Sequence, residues 1–385
     1  MTFSILALLI AVGLTGPILA SIPKLGIPLV VGEIFAGLVI GQSGLNLIPT
    51  NNEALNFLSN LGFALLMFIV GSHLPIRQMN LKPALSVGLL ATFLTLVSAV
   101  VFGFAVSGPI GFSEPLILAT LVATSSAAVA LPVLQAISPE SSKGFAETAL
   151  KLTSWIALTD VVTVLSVPLV ARQGNIVDAL LGMGIIGGIA FLLFMASKIE
   201  FLKPYIHNIR HLSKKSHWAL DLRVSLLILF GFAAIATSTS TSILVAGFAA
   251  GALLAVEDAP RRLSQQLIGL GEGFLIPLFF VILGTRLNLS ELVNSPANLV
   301  LMFAIASGSA LVHVIVSMIL KLKVGAGLMA TAQLGVPAAI ATIGLQTKQL
   351  NAGQASAILG AVIISLVFTS VGAMLLGNFS AQNNQ

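Results

Sequence analysis

Between residues 3 and 377 the sequence falls repeatedly into apolar stretches of about twenty residues, separated by short polar connections. A helix needs about 20 mainly apolar residues to cross the hydrocarbon core of a bilayer. Only helices and closed barrels satisfy their backbone polar groups there. With 57% hydrophobic and 8% charged residues, the apolar runs are too many and too continuous for one water-soluble core. The chain reads as an all-α polytopic membrane protein. Dividing it at charged, Pro and Gly/Asn clusters predicts about thirteen spans, at roughly 3–21, 27–45, 54–72, 83–107, 114–136, 147–171, 177–197, 219–237, 240–256, 266–285, 298–320, 324–346 and 354–377. The eighth and ninth are separated only by Ser238-Thr-Ser-Thr-Ser242. No basic residues precede the first run and it is long enough to span, so it is expected to be a retained helix rather than a cleaved signal peptide. Beyond the last span only a short polar tail to Gln385 is expected, with no soluble regulatory domain.

The placement of Lys and Arg checks this division. Odd-numbered connections carry Lys24, Arg77, Lys82, Lys143, Lys198, Lys203, Arg210, Lys214, Lys215, Arg261, Arg262, Lys321 and Lys323. Even-numbered ones carry Arg172, Arg286 and Lys348. By the positive-inside rule the odd connections are cytoplasmic. This predicts a cell (inner) membrane protein with its N-terminus outside and its C-terminus in the cytoplasm. The net charge of +5 therefore reflects topology, and nucleic acid is not an expected partner. The absence of cysteine excludes disulfides and thiolate metal sites, and thirty-five glycines predict close helix packing.

The longest polar connection, 198–218, divides the chain into a first helical half, 1–197, and a second, 219–385. Each half contains an apolar run interrupted by small, polar and proline residues: Ala123-Thr-Ser-Ser-Ala-Ala-Val-Ala-Leu-Pro132 within 114–136, and Thr331-Ala-Gln-Leu-Gly-Val-Pro337 within 324–346. Corresponding broken helices in two halves are the sequence mark of a transporter site built from inverted repeats. The spans have odd and even ordinals, so they enter the membrane from opposite sides.

Asp160 is the chemistry-bearing residue. Of thirteen acids, twelve can be placed at or near helix ends, and Asp160 alone lies mid-span. An ionisable group at that depth marks an ion path or a proton relay. Removal from water penalises the charged form of a carboxyl, so such a group exchanges a proton for a small cation. On a helix its face includes Thr153, Ala157, Thr163, Val164 and Val167, and Thr159 precedes it. Hydroxyl oxygens of this kind, with carbonyls freed at a broken neighbour, suit a hard monovalent cation. Glu33, about six residues into the second span, and His313, the only histidine well inside a span, are possible modulators. His207, His211 and His217 read as part of a solvated basic loop. Gly41-Gln-Ser-Gly44 matches the short pattern around the serine of intramembrane serine proteases, with His313 as a distant base. Four residues with two glycines recur by chance in glycine-rich helices. An aspartyl protease needs two carboxylates sharing a proton, and one mid-span acid is present.

Taken together, Gly32-Glu-Ile-Phe-Ala-Gly-Leu-Val-Ile-Gly41, Leu65-Leu-Met-Phe-Ile-Val-Gly71, Ala123-Thr-Ser125, Thr159-Asp160 and Leu275-Ile-Pro-Leu-Phe-Phe-Val-Ile-Leu-Gly-Thr-Arg-Leu287 resemble the monovalent cation:proton antiporter superfamily. The branch most similar is that of bacterial sodium/proton and potassium/proton exchangers, and the likeness runs nearly end to end. It implies two discontinuous helices crossing near the midplane, a dimerisation domain, homodimers and an elevator-like movement of the core. It also implies that Asp160 is the essential carboxylate and that Thr124 and Ser125 belong to the first break. The chain departs from the family in three places. Many electrogenic members carry two adjacent aspartates where this chain has Thr159-Asp160, which favours electroneutral exchange. A core lysine or arginine of relatives aligns with His313, and charged residues of the second broken helix are replaced by Leu334 and Val336.

The sequence thus predicts a secondary antiporter, not an enzyme. The cation and proton site is expected at Asp160, Thr159, Thr124 and Ser125, the transported ions are Na⁺ (or Li⁺, K⁺) and H⁺, and no cofactor is expected. A sodium-coupled symporter of a small organic anion is the alternative within transport. A larger substrate should bring more polar or aromatic residues to the breaks, and the chain has one tyrosine and two tryptophans.

Overall fold

The computed structural model describes residues 2–21, 29–49, 52–72, 82–137, 143–171, 175–201, 208–209, 212, 216, 218–239, 241–256, 266–267 and 269–382. The loop histidines His207, His211 and His217 lie outside the described residues. Among the described residues the secondary structure is helical throughout, with no strand. The principal helices are α1 (Phe3–Gly13), α2 (Thr15–Ala20), α3 (Leu29–Ile40), α4 (Glu53–Ser72), α5 (Lys82–Ser107), α6 (Pro115–Ala123), α7 (Ala127–Ala136), α8 (Lys143–Val170) and α9 (Ile176–Lys198). They continue as α10 (Leu220–Ser238), α11 (Ile243–Val256), a π-turn (Gly271–Leu275) leading into α12 (Ile276–Thr285), α13 (Leu289–Val293), α14 (Pro296–Ile319), α15 (Val324–Ala330), α16 (Gly335–Gln346) and α17 (Ala352–Gln382).

Each of the thirteen expected spans has a helical counterpart. Among the described residues, ten are long and apolar enough to cross a membrane, and Leu29–Ile40, Ile243–Val256 and Gly271–Thr285 are shorter apolar helices. The segment α13 was not expected; Asn288 opens it by accepting from Glu291 N at 3.1 Å, a helix N-cap.

Helix packing sorts the molecule into two bundles. In the first, α4 lies along α11, α3 crosses α12, and α1, α2, α9 and α10 complete the group. In the second, α5 packs against α6 and α8, while α17 packs against α14, α15 and α16. Each bundle draws helices from both sides of 198–218, so spatial grouping does not follow chain order.

Small residues set the closest approaches. A Cβ at Gly37 would lie 2.0 Å from Val281 O, and one at Gly284 would lie 2.1 Å from Ile34 O. The crossing of α4 and α11 is equally close, with Gly251 against Phe68 O and Gly71 against Phe248 O. Close backbone contact of this kind gains dispersion energy where lipid supplies no hydrophobic drive for association. Outward-facing positions are apolar, as Leu89, Phe93, Val97, Val101 and Phe104 of α5 illustrate. Polar side chains turn inward instead: Thr92, Thr95, Thr159, Asp160, His313 and Gln333 are all buried in the second bundle.

Candidate functional site

The site is built where two helices fail to continue. At Thr124-Ser-Ser126 the backbone leaves the helix, with Thr124 at φ −61°, ψ 133° and Ser126 at φ −108°, ψ 113°. Hydroxyl side chains compete with the helical backbone for hydrogen bonds, and the Thr124 hydroxyl donates to Thr120 O at 2.7 Å. The helix resumes as α7, in which Pro132 removes a further donor. The second break spans 331–334 between α15 and α16. Pro337 sits in the first turn of α16, where its missing N–H is not needed by the helix.

The two breaks meet. Ser126 N donates to Ala332 O at 2.6 Å, and Gln333 Nε2 donates to Leu121 O at 2.8 Å. Leu121 lies in the last turn of α6, whose final carbonyls have no intrahelical partner. Asp160, 4% exposed, reaches the same place from α8: its Oδ2 accepts from Ala127 N at 2.9 Å. The carboxyl therefore caps the first residue of α7, where free N–H groups and the helix dipole favour negative charge. A carboxyl, two non-helical segments and several hydroxyls thus share one buried region.

The expected residues occupy this region unequally. Ser125 Oγ is buried without a hydrogen-bond partner. Thr159 is fully buried, but its hydroxyl faces α5, 3.0 Å from Thr92 Oγ1. Thr163, on the Asp160 face, directs its hydroxyl to Thr159 O at 2.9 Å. His313 belongs to the same bundle. Its Nδ1 lies 2.9 Å from Ser309 O; a carbonyl only accepts, so Nδ1 carries the proton, and Nε2 is buried without a partner. The ring stacks on Trp155, with centroids 5.6 Å apart, and Trp155 Nε1 donates to Thr95 Oγ1 at 3.1 Å. His313 is thus tied to the Asp160 helix one to two turns from the carboxyl. Glu33 lies elsewhere, in the first bundle. It is 0% exposed, and neither carboxyl oxygen has a partner. Its side chain rests on Gly16, where an added Cβ would meet Glu33 Cγ at 2.6 Å.

Sequence reasoning passed over Thr92, Thr95, Trp155 and Gln333. Polar residues spaced three apart in an apolar span, Thr92 and Thr95, and an amide inside a break, Gln333, were the available signals. The serine-protease pattern does not assemble. Ser43 Oγ donates to Leu287 O at 2.5 Å and accepts from Leu289 N at 2.9 Å, while His313 is occupied in the other bundle.

Two cavities flank α16. One, of about 390 Å³, lies between the bundles and is lined by Ser59, Asn60, Thr237, Thr241, Thr342 and Gln346. It reaches Ala338, in the first turn after the second break. The other, of about 300 Å³, shares Thr342 and Gln346 and is bordered by Arg286, whose Nη2 donates to Asn56 Oδ1 at 2.7 Å. Both lie toward the even-numbered connections, and their walls are rich in hydroxyls and amides.

The profile described as "Sodium/hydrogen exchanger, transmembrane" matches residues 8–376. The Bacillus subtilis protein YjbQ is 26% identical over 96% of this chain, and this chain spans 62% of YjbQ's length. The Na(+)/H(+) antiporter of Enterococcus hirae is 23% identical, with 93% of each protein covered. The sodium proton antiporter MjNhaP1 from Methanocaldococcus jannaschii has the same fold, with a TM-score of 0.66, 18% identity, and coverage of 97% of this chain and 96% of that one.

Proposed function

The chain belongs to the sodium/hydrogen exchanger family, and from that premise we propose that it is a secondary antiporter in which Asp160 carries either one monovalent cation or one proton. Na⁺ is the preferred cation, with Li⁺ and K⁺ as competitors. The observation that carries the reading is the single buried carboxyl at the crossing, held by Ala127 N at 2.9 Å. The step balances as a substitution: Asp160-COOH releases H⁺ and the carboxylate takes Na⁺, and on the opposite side Na⁺ leaves before H⁺ returns. Ser125 and displaced backbone carbonyls supply oxygens that stand in for the ion's water. Thr124 and Thr159 add their hydroxyls, whose present bonds leave acceptor lone pairs free. Alternating exposure of the crossing to the two sides converts this competition into exchange. With Thr159 where a second carboxylate would stand, one charge crosses in each direction, and exchange is electroneutral. Following the positive-inside rule, the N-terminus lies outside, the C-terminus lies in the cytoplasm, and the cavities beside Thr342 and Gln346 are the outer approach. A homodimer in the bacterial cell membrane is the working assembly.

In proteoliposomes carrying a pH-sensitive dye, added Na⁺ is expected to dissipate an imposed pH gradient equally with and without a membrane potential. A rate that follows the potential would overturn electroneutrality, and no response to Na⁺, Li⁺ or K⁺ would overturn the antiporter reading. Because proton and cation compete for one carboxyl, the apparent KM for Na⁺ should rise with acidity, approaching about tenfold per pH unit where the protonated form dominates. A pH-independent KM would mean that the two ions use separate groups. Ser43→Ala should leave exchange within about twofold of the parent, since removing this clasp between loops is a peripheral change of the ordinary small size. Loss of exchange in that variant would give Ser43 a role that the proposal does not contain.

A further inference from the structure

Gln333 is completely buried and sits in the second break, one residue from Ala332, whose carbonyl accepts from Ser126 N at 2.6 Å. Its amide is oriented by chemistry: Leu121 O can only accept, so the group 2.8 Å from it is the donor Nε2. Oε1 therefore faces away from α6, and it is buried with no hydrogen-bond partner. Ser125 Oγ, beside the residue that joins the breaks, is also buried and partnerless. Two partnerless buried oxygens thus sit one on each of the two breaks that Ser126 N and Ala332 O join, and Asp160 is held at Ala127 N, the residue after Ser126. Buried acceptors are ordinarily paired. A small cation satisfies both at once and is the ligand that neutral oxygens beside a carboxylate recognise.

We propose that Gln333 determines which cation is exchanged, its Oε1 joining Ser125 Oγ and Asp160 in the oxygen shell around the ion. The amide's anchorage at Leu121 fixes the reach of that oxygen, so ions of different radius fit it unequally. This inference rests on the antiporter reading of Asp160. A residue that only caps α6 would need its donor and have no use for its oxygen.

The test separates these roles. Exchange is measured in proteoliposomes with Na⁺, Li⁺ and K⁺ for the parent, Gln333→Leu and Gln333→Glu. Gln333→Leu should raise the apparent KM by about tenfold or more, the usual effect of losing one polar contact to a charged group. Its maximal rate should stay within about threefold of the parent, and the order of preference among the three ions should change. Gln333→Glu, which keeps an oxygen toward the ion, should restore the low KM. A KM within about twofold of the parent in Gln333→Leu, with the ion order unchanged, overturns the proposal. So does a shared fall in rate in both variants at constant KM, the result expected of a cap. If Gln333→Leu does not yield folded protein, Gln333→Met, closer in shape, is judged by the same criteria. An inactive parent would sink the antiporter reading itself, whereas an active parent with an indifferent Gln333→Leu sinks only the role of Gln333.

Discussion

Asp160→Asn is expected to reduce cation-driven proton movement in proteoliposomes to background while the protein still folds. The carboxamide has nearly the same shape, and its oxygen can accept from Ala127 N as Asp160 Oδ2 does at 2.9 Å. What disappears is the ability to lose a proton and to carry a negative charge, and with one mid-span carboxylate no neighbour replaces it. The cost to stability should be small, because a charge-assisted hydrogen bond contributes about 1.5–3 kcal/mol and a neutral one about 0.5–1.5. A thermal melt in detergent and a ΔpH assay on the same preparation provide the check. Folded protein that still exchanges Na⁺ for H⁺ would remove Asp160 from the mechanism. Misfolded protein would instead show that the charge itself holds the end of α7.

The largest structural effect is expected at the crossing of α3 and α12. A Cβ at Gly37 would lie 2.0 Å from Val281 O, 2.8 Å from its carbonyl carbon and 3.0 Å from Gly284 Cα. These are backbone atoms that cannot rotate away, so Gly37→Ala must separate two helices whose contact is already closed on the other side by Gly284 and Ile34 O. Overpacking of this kind costs about 1–3 kcal/mol, and more where nothing yields. Gly187→Ala supplies the contrast, since nothing lies within 4 Å of the position. There the change should be neutral or favourable, given that alanine is better in a helix by about 0.8–1.0 kcal/mol. Melting temperature and the yield of monodisperse protein decide the matter. Equal behaviour of the two variants would mean that α3 and α12 do not approach as described.

Much of this arrangement was legible in the sequence because a bilayer imposes a simple length rule. Apolar runs of spanning length located the helices, and the interruptions at 123–132 and 331–337 located both breaks. Asp160 stood out because charge is rare at depth. The grouping of helices was not legible: in lipid nearly every face of a helix is apolar, so the periodicity that reveals a buried stripe in water is erased. Glycine content announced close packing without naming partners, and Gly37 and Gly284 lie far apart in the chain. Hydroxyl directions were equally hidden. Thr159 was expected to offer its hydroxyl to the ion, and nothing in the chain announced that the same oxygen would lie 3.0 Å from Thr92 Oγ1, because a threonine on a buried helix can pair with whichever neighbour offers oxygen. Gln333 carried no charge to draw notice, and its significance came from the single carbonyl that orients it.

The bond from Ser126 N to Ala332 O, 2.6 Å long, has a mechanical consequence. It ties two discontinuous helices together at the point where each is interrupted, so that separating them breaks a backbone bond in each break. Parting them would leave a buried amide and a buried carbonyl without each other, at a cost of several kcal/mol per group in the hydrocarbon limit. A seam between the two breaks would have to open through that bond. Any rearrangement that keeps this bond carries the two breaks together, whichever side chains surround them.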